Sequence, residues 1–289
     1  MVTTDFVSCH WHPDRRAGVI CQRCDLPICP SCMHQASVGF HCPNCTAKGK
    51  QNVRSGPAAF GGTFQPTLTL VLMGINIAIF LIGQAVGADR VLIDFSAIGR
   101  AVLLDGSTGG ITDTSHQYYR LLTSGFLHWN LIHIGLNMWA LYNLGPTVER
   151  SLGRLRFGLV YVTALLAGGA GAVIVSPHSL SAGASGALYG LFGALVVVYR
   201  RHGIDVMRSG LGLSILINFV ITITIPGISL GGHLGGFVGG LAATWIAVHG
   251  PRALGSSRTA LVALAALIPV FIAIGVVAMG ASSQVVIRI

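Results

Sequence analysis

Polar side chains within apolar stretches form the first set of residues suited to chemistry. They are Ser185 in a Gly-Ala-Ser-Gly string at 183–186, His233 in a glycine-rich stretch, and the pair His133 and Asn137. Polar groups in hydrocarbon are costly and by default indicate function. A serine hydroxyl beside a histidine is a nucleophile with its general base. Two further polar donors nearby could stabilise a developing oxyanion.

Cysteines near the start of the chain form the second set. All 7 cysteines lie within residues 9–45 and, with one histidine, they make four pairs with a two-residue gap: Cys9 and His12, Cys21 and Cys24, Cys29 and Cys32, Cys42 and Cys45. Each gap lets a turn direct two side chains at one ion, and such pairs suit tetrahedral zinc. Interleaved pairing predicts two structural zinc ions. One would be held by Cys9, His12, Cys29 and Cys32, and the other by Cys21, Cys24, Cys42 and Cys45.

The alternatives for this segment are a disulfide framework or a single metal site. His10, His34 or His41 could also replace one of the ligands. An odd cysteine count and a cytoplasmic location favour zinc over disulfides. Eight protein ligands leave no open metal position, so the segment predicts a structural role or a docking surface for a cytoplasmic protein. No cofactor is expected for catalysis.

Composition indicates the elements that must position the catalytic candidates. The 289 residues are 52% hydrophobic and only 9% charged, against about 25% charged in soluble domains. Five stretches lack Asp, Glu, Lys and Arg altogether: 55–88, 121–148, 157–199, 209–251 and 259–287. Because a membrane-spanning helix needs about 20 apolar residues, the chain is predicted to be an all-α polytopic membrane protein.

The two longest stretches each hold two spans, broken near Pro177 and Pro226. Seven spans follow, near 68–86, 121–143, 157–175, 185–199, 211–225, 231–248 and 260–279. The predicted organisation is a zinc-binding domain (1–46), a linker (47–66), the transmembrane domain (67–280) and a short tail (281–289). No apolar segment near the N-terminus resembles a cleaved signal peptide.

Charge distribution predicts the orientation of these spans. Alternate segments between spans collect most of the 18 Lys and Arg, and the positive-inside rule then places the N-terminus in the cytoplasm and the C-terminus outside. This pattern accounts for the net charge of +9 without a nucleic-acid partner. Spans 2, 4 and 6 would run inward from the outer face. Ser185 and His233 would lie at a similar depth, one to two turns below that face.

Helical spacing refines the expected neighbourhoods. His133 and Asn137 share one helix face, whereas His128, placed in the same predicted span, would point about 140° away toward a different neighbour. Tyr189 shares a face with Ser185 and is expected to pack beside the base. The small residues Gly232, Gly236 and Gly240 form a ridge that permits close helix approach.

At these residues the chain resembles the rhomboid family of intramembrane serine proteases. The matching motifs are His128 with His133-x3-Asn137, Gly183-Ala184-Ser185-Gly186, and Gly232-His233-x2-Gly236-x3-Gly240. Glu149-x3-Gly153 is also similar to the family's stretch after span 2. The resemblance covers about 66–280 and implies a six-helix core, to which span 7 adds a C-terminal helix. The first loop, about 88–120, departs from the family because it lacks a Trp-Arg pair.

The resemblance implies an endopeptidase that hydrolyses single-span membrane proteins in or near their transmembrane segment. Ser185 would be the nucleophile and His233 the base, with an oxyanion hole from His133, Asn137 and the Ser185 backbone N–H. His128, Tyr189 and Gly183 would support the site. The N-terminal segment resembles a B-box-type zinc finger. The expected location is the plasma membrane, as a multi-pass protein whose site opens to the outer face.

Two other functions remain as alternatives. One is a catalytically inactive rhomboid-like protein that binds membrane helices, although such proteins typically lack the Ser or the His. The other is a polytopic transporter, which the absence of Asp, Glu, Lys and Arg from the predicted spans disfavours.

Overall fold

The computed structural model describes residues 7–36, 39–49, 65–98, 101–103, 117–281 and 285–287. The chain divides into two compact units, Met1–Phe64 and Gln65–Ile289. Most of the predicted linker, 50–64, lies outside the described residues. The first helix, α1 (Pro43–Gly49), extends past the predicted domain end at residue 46.

Short hairpin-like pairs build the N-terminal unit. Three antiparallel two-stranded sheets precede α1: β1 (Ser8–Cys9) with β2 (His12–Arg16), β3 (Val19–Ile20) with β4 (Pro27–Ile28), and β5 (His34–Gln35) with β6 (Phe40–His41). Such small sheets bury little apolar surface. The buried side chains of the unit are Ile28 and six of the cysteines, so cysteines take the place that large apolar residues occupy in an ordinary core.

Nine helices build the second unit within its described residues. In chain order they are α2 (Thr67–Val86), α3 (Ala88–Phe95), α4 (Arg120–Thr123), α5 (Leu131–Leu152), α6 (Arg154–Val175), α7 (Ser185–Arg201), α8 (Leu211–Thr224), α9 (Leu230–Ala253) and α10 (Ser257–Ala281). Seven of them are long, and they correspond to the seven predicted spans. The predicted fold class, an all-α polytopic membrane protein, is confirmed.

Only three described helices are long and apolar enough to cross a membrane by length and composition alone: α2, α6 and α10. Helix α8 is apolar but has 14 residues. Helices α5, α7 and α9 carry the polar candidates and many glycines, which lowers their hydropathy. The helices that look least like membrane spans are therefore those that hold the candidate site.

The predicted second span, 121–143, is wrong at both ends. Residues 120–126 form α4 and a 3-10 turn, and α5 starts only at Leu131. Asn130 is the reason, because its side chain accepts a hydrogen bond from the N–H of His133 and caps the helix. At the other end α5 continues to Leu152 through Pro146.

Helix α6 lies at the centre of the unit and contacts α5, α7, α9 and α10. Glycines allow the closest contacts. A Cβ on Gly236 would overlap the carbonyl oxygen of Gly186, and one on Gly240 would overlap that of Gly190. On the other face of α9, a Cβ on Gly235 would overlap the carbonyl oxygen of Ala167 in α6. Backbone contact at these crossings fixes the position of α9, which carries His233.

Glu149 joins the end of α5 to the start of α2. Its carboxylate is fully buried and accepts hydrogen bonds from the N–H of Leu68 (3.0 Å), the N–H of Thr69 (2.9 Å) and the hydroxyl of Thr69 (2.7 Å). The Arg154 guanidinium lies 3.9 Å away. The carboxylate satisfies amides that α2 leaves unpaired at its N-terminus, where a negative charge is favoured.

The segment after α2 and the predicted tail each contribute a short strand. Strand β7 (Ala101–Leu103) pairs in parallel with β8 (Val285–Ile287). The same segment of sequence after α2 also contains helix α3 and Ala97, which forms an antiparallel bridge with Ser181. Residues 104–116 of the predicted first loop lie outside the described residues.

Candidate active site and cysteine clusters

Ser185 is the first residue of α7, and the turn before it requires glycine. Gly183 has a φ of +135°, and a Cβ there would lie 2.8 Å from Cε1 and 2.9 Å from Nε2 of His133. The N–H of Gly183 donates to the carbonyl of Ser124. Ser185 thus enters the helix from a turn that only glycine fits without strain. Its backbone N–H is one of those that a helix N-terminus leaves without an intrahelical acceptor.

His233 lies within hydrogen-bonding distance of Ser185. The distance from its Nε2 to Ser185 Oγ is 2.9 Å, and the side chain is buried. The Tyr189 ring stacks on the imidazole with centroids 3.8 Å apart and planes 16° apart. The structure therefore brings together the predicted nucleophile, the predicted base and the predicted packing residue.

Thr222 is a contact of His233 that sequence reasoning missed. Its Oγ1 lies 2.7 Å from Nδ1 of His233, on the side of the ring opposite Ser185. A signal was available, because Ser214, Asn218 and Thr222 are spaced four residues apart in α8, whose one other polar side chain is Thr224. Such spacing places them on one face of α8.

His133 and Asn137, the predicted oxyanion donors, line the same cavity as Ser185 and His233. The ring of His133 contacts the turn at Gly183, so its Nε2 is directed toward the start of α7. The Nδ2 group of Asn137 donates one hydrogen to the carbonyl of His133 at 2.8 Å, which leaves its second hydrogen for another acceptor.

The predicted placement of His128 is wrong. His128 precedes α5 instead of lying in it, and its ring meets that of His133 edge to face with centroids 5.0 Å apart. It therefore contacts His133 directly. If residue 128 belonged to the same helix as His133, the two side chains would point in different directions. Its side chain is buried.

A cavity of about 770 Å³ contains these groups. Its walls come from α5, α6, α7, α8 and the start of α9, together with residues 124–125, the segment 176–183 and the turn at Pro226–Ser229. The cavity has room for an extended peptide segment of a few residues. Ser185 lies at the positive end of the α7 dipole, which favours a negative charge developing beside it.

The eight predicted metal ligands lie in two clusters. Cys9, His12, Cys29 and Cys32 form one, and Cys21, Cys24, Cys42 and Cys45 form the other. Within each cluster the ligand atoms all lie within 4.8 Å of one another. All seven cysteines are free thiols without disulfides. These are the two sets that interleaved pairing predicts, and metal binding itself stays a prediction.

The thiols of one cluster differ in acidity. Burial raises the pKa of Cys9, but hydrogen bonds from the backbone N–H groups of Cys29 and Trp11 outweigh it and lower the pKa to about 6. Burial and the neighbouring thiols Cys29 and Cys9 raise the pKa of Cys32 to about 11. Thiolates at this spacing repel one another, and a divalent cation among them would offset the repulsion.

Fold and geometry together define a class: a helical membrane protein with a serine hydroxyl and a histidine ring within hydrogen-bonding distance, near the starts of two packed helices. Comparison with known proteins then gives the family. Residues 115–250 match the Rhomboid domain. The chain is 30% identical over 200 residues to the rhomboid protease GluP of Bacillus subtilis (strain 168), covering 67% of this chain and 37% of GluP.

Two further relatives agree. The chain is 33% identical over 145 residues to the rhomboid-type serine protease 2 of Emericella nidulans, covering 48% of this chain and 28% of the relative. It is 32% identical over 137 residues to the rhomboid-family protein YdcA of Bacillus subtilis (strain 168), covering 46% of this chain and 69% of YdcA. The chain belongs to the rhomboid family. It spans about a third of the length of the first two relatives.

Proposed function

We propose that the protein is a serine endopeptidase that cleaves peptide bonds within the bilayer. The single observation that carries the proposal is the 2.9 Å separation between Ser185 Oγ and His233 Nε2 in a cavity of about 770 Å³. A hydroxyl becomes a strong nucleophile when an adjacent base accepts its proton. The similarity to rhomboid proteases of Bacillus subtilis and Emericella nidulans supports this proposal.

The reaction proceeds through an acyl-enzyme. Ser185 Oγ attacks the scissile carbonyl carbon while His233 Nε2 takes the hydroxyl proton. His233 then gives that proton to the leaving amine as the peptide C–N bond breaks. A water molecule, deprotonated by the same nitrogen, hydrolyses the ester and restores Ser185.

Three donors surround the place where the carbonyl oxygen becomes negative. They are the Ser185 backbone N–H, the free hydrogen of Asn137 Nδ2, and the His133 ring. Fixed donors in a site shielded from bulk water stabilise a developing oxyanion more strongly than water does. His128 supports the group by packing against His133.

Single-span membrane proteins are the proposed substrates. The cavity is bordered by α5 and α8, whose outward faces expose apolar side chains such as Trp139 and Ile217. A substrate helix can approach such a surface within the bilayer, but its peptide bonds are accessible only after local unwinding. The proposed location is the plasma membrane, with the N-terminus in the cytoplasm and the site open to the outer face. The positive-inside distribution of Lys and Arg supports that orientation.

Covalent labelling tests the proposal without a known substrate. An alkyl fluorophosphonate forms a Ser Oγ–P bond as fluoride leaves, and this requires an activated serine. We expect mass spectrometry of the detergent-solubilised protein to find the adduct on Ser185. An intact, folded protein with no adduct there would contradict the proposal.

Two zinc ions are the proposed occupants of the cysteine clusters. Three thiolates and one imidazole, or four thiolates, at this spacing fit the tetrahedral N/S sites that zinc prefers. With all four positions filled by protein, the ions would fold the N-terminal unit, whose apolar core is small, and take no part in hydrolysis. The resulting B-box-like domain is proposed to dock a cytoplasmic protein.

Metal analysis of the full chain checks the ligand sets. We expect about two zinc ions per chain, falling to about one in His12→Ala, because removing one of four ligands opens that site. His41→Ala is the matched control and should keep both, since His41 lies outside the clusters. Equal losses in the two variants, or no zinc in either, would show that the clusters are not the sites.

A further inference from the structure

A chain of hydrogen bonds continues behind His233, away from Ser185. Thr222 Oγ1 lies 2.7 Å from His233 Nδ1 and donates to the carbonyl of Asn218 at 2.8 Å. The Tyr189 hydroxyl lies 2.7 Å from both Thr222 Oγ1 and the Asn218 carbonyl. This series of hydrogen bonds therefore ends at the backbone carbonyl of Asn218 in α8.

The number of hydrogens available shows which group donates and which accepts in each of these hydrogen bonds. His233 can accept the Ser185 proton at Nε2 only if Nε2 is bare, so the neutral ring must carry its hydrogen on Nδ1. That hydrogen needs an acceptor, and Thr222 Oγ1 is within reach. A threonine hydroxyl has one hydrogen and two acceptor sites. With its own hydrogen donated to Asn218, Thr222 faces Nδ1 as an acceptor.

Thr222 differs from an ordinary helical threonine. Such residues commonly return their hydroxyl to the carbonyl four residues back, and Thr224 does this with Val220 from an exposed position. Thr222 makes the same bond, but it is only 3% exposed and contacts both the imidazole and Tyr189. Tyr189 packs against the face of the His233 ring, and Thr222 contacts the edge of that ring at Nδ1.

Within the part of the chain that the structure describes, the partner of His233 Nδ1 is the Thr222 hydroxyl and not a carboxylate. The sequence has no Asp or Glu in 157–199 or 209–251, the stretches that form α8 and most of α6, α7 and α9. In serine hydrolases with three-membered sites, a carboxylate holds the histidine in the reactive tautomer and stabilises the imidazolium. Here a neutral hydroxyl occupies the corresponding position.

We propose that Thr222 is the positioning residue of the site. Its hydroxyl holds the His233 ring with the ring hydrogen on Nδ1, so that Nε2 faces Ser185. The inference rests on the proposed serine protease function and adds a third member to the Ser185–His233 pair. Because Thr222 belongs to α8 and His233 to α9, the base is competent only while these two helices keep their register. The hydroxyl acts through His233 and does not touch substrate.

The test compares three threonine variants in the full-length, detergent-solubilised protein. The probe is an alkyl fluorophosphonate, with the maximal rate of Ser185 modification and the concentration for half-maximal rate measured separately. Thr222→Val keeps the branched shape and removes the acceptor, Thr222→Ser keeps the hydroxyl, and Thr224→Val removes a hydroxyl of the same helix that does not contact His233. Thermal unfolding confirms that each variant is folded.

We expect Thr222→Val to lower the maximal rate about 10- to 100-fold, which is part of the roughly 10²- to 10⁴-fold that a well-placed general base contributes. The half-maximal concentration should not change, because probe binding does not involve Thr222. Thr222→Ser should retain the rate to within about threefold, and Thr224→Val should not alter it.

Three results would overturn the inference. Unchanged labelling in Thr222→Val, with normal labelling of the unmodified protein, would refute the role of Thr222 and leave the proposed function standing. Equal losses in Thr222→Ser and Thr222→Val would assign the effect to packing instead of the hydroxyl. Absence of labelling in the unmodified protein would remove the proposed function and this inference together.

Discussion

The Ser185→Ala variant is expected to lose cleavage of membrane substrates by about 10⁴-fold or more, because no second nucleophile is positioned to replace the hydroxyl. The fold should persist, since among the described residues the serine side chain has one hydrogen-bond partner, His233. Proteomics of ectodomain fragments released from cells that make either form would measure the loss. The fragments that disappear would also identify the substrates.

Ser214→Ala is the matched control for that experiment. Ser214 is an exposed serine on α8 whose hydroxyl bonds only to the carbonyl of Gly210. Its removal should leave fragment release unchanged. Undiminished release in Ser185→Ala, at equal protein abundance, would refute Ser185 as the nucleophile.

Gly236→Ala is expected to destabilise the membrane unit by about 3 kcal/mol or more. The added Cβ would overlap the carbonyl oxygen of Gly186, a backbone atom that cannot rotate away as a side chain can. Helices α7 and α9 would have to separate, and Ser185 would move from His233. Thermal unfolding in detergent, together with fluorophosphonate labelling, would show both effects.

Gly74→Ala provides the contrast within α2. A Cβ at Gly74 meets no atom within 4 Å, and alanine favours a helix over glycine by about 1 kcal/mol. This variant should be as stable as the unmodified protein or slightly more so. If Gly236→Ala were equally well tolerated, close backbone contact would not be what holds α9 in place.

Hydrophobic stretches and charge gaps were sufficient to predict the helices, because the bilayer demands long uncharged segments. They were insufficient around 121–131, where the uncharged stretch includes a turn, a loop and a helix start. Hydropathy does not distinguish these, whereas the cap at Asn130 does. The misplacement of His128 followed directly, because its direction was inferred from a helix that had not yet begun.

The residue types of the candidate site and their depth in the membrane could be predicted from the sequence. Ser185 and His233 were expected at one level of the membrane, and the structure places them 2.9 Å apart. Thr222 could not be selected in the same way. Its spacing with Ser214 and Asn218 marks one face of α8, but the sequence does not show that this face meets His233, and only the tertiary contact does.

The capping of α2 by Glu149 has a consequence for biosynthesis. The acceptor is encoded 80 residues after Thr69, so at about 5–20 residues per second it emerges roughly 4–16 s later. During that interval the amides at the start of α2 have only water or lipid headgroups as partners. Helix α2 therefore reaches its final hydrogen bonding only when α5 has been synthesised nearly to its end, and the two helices mature as a pair during translation.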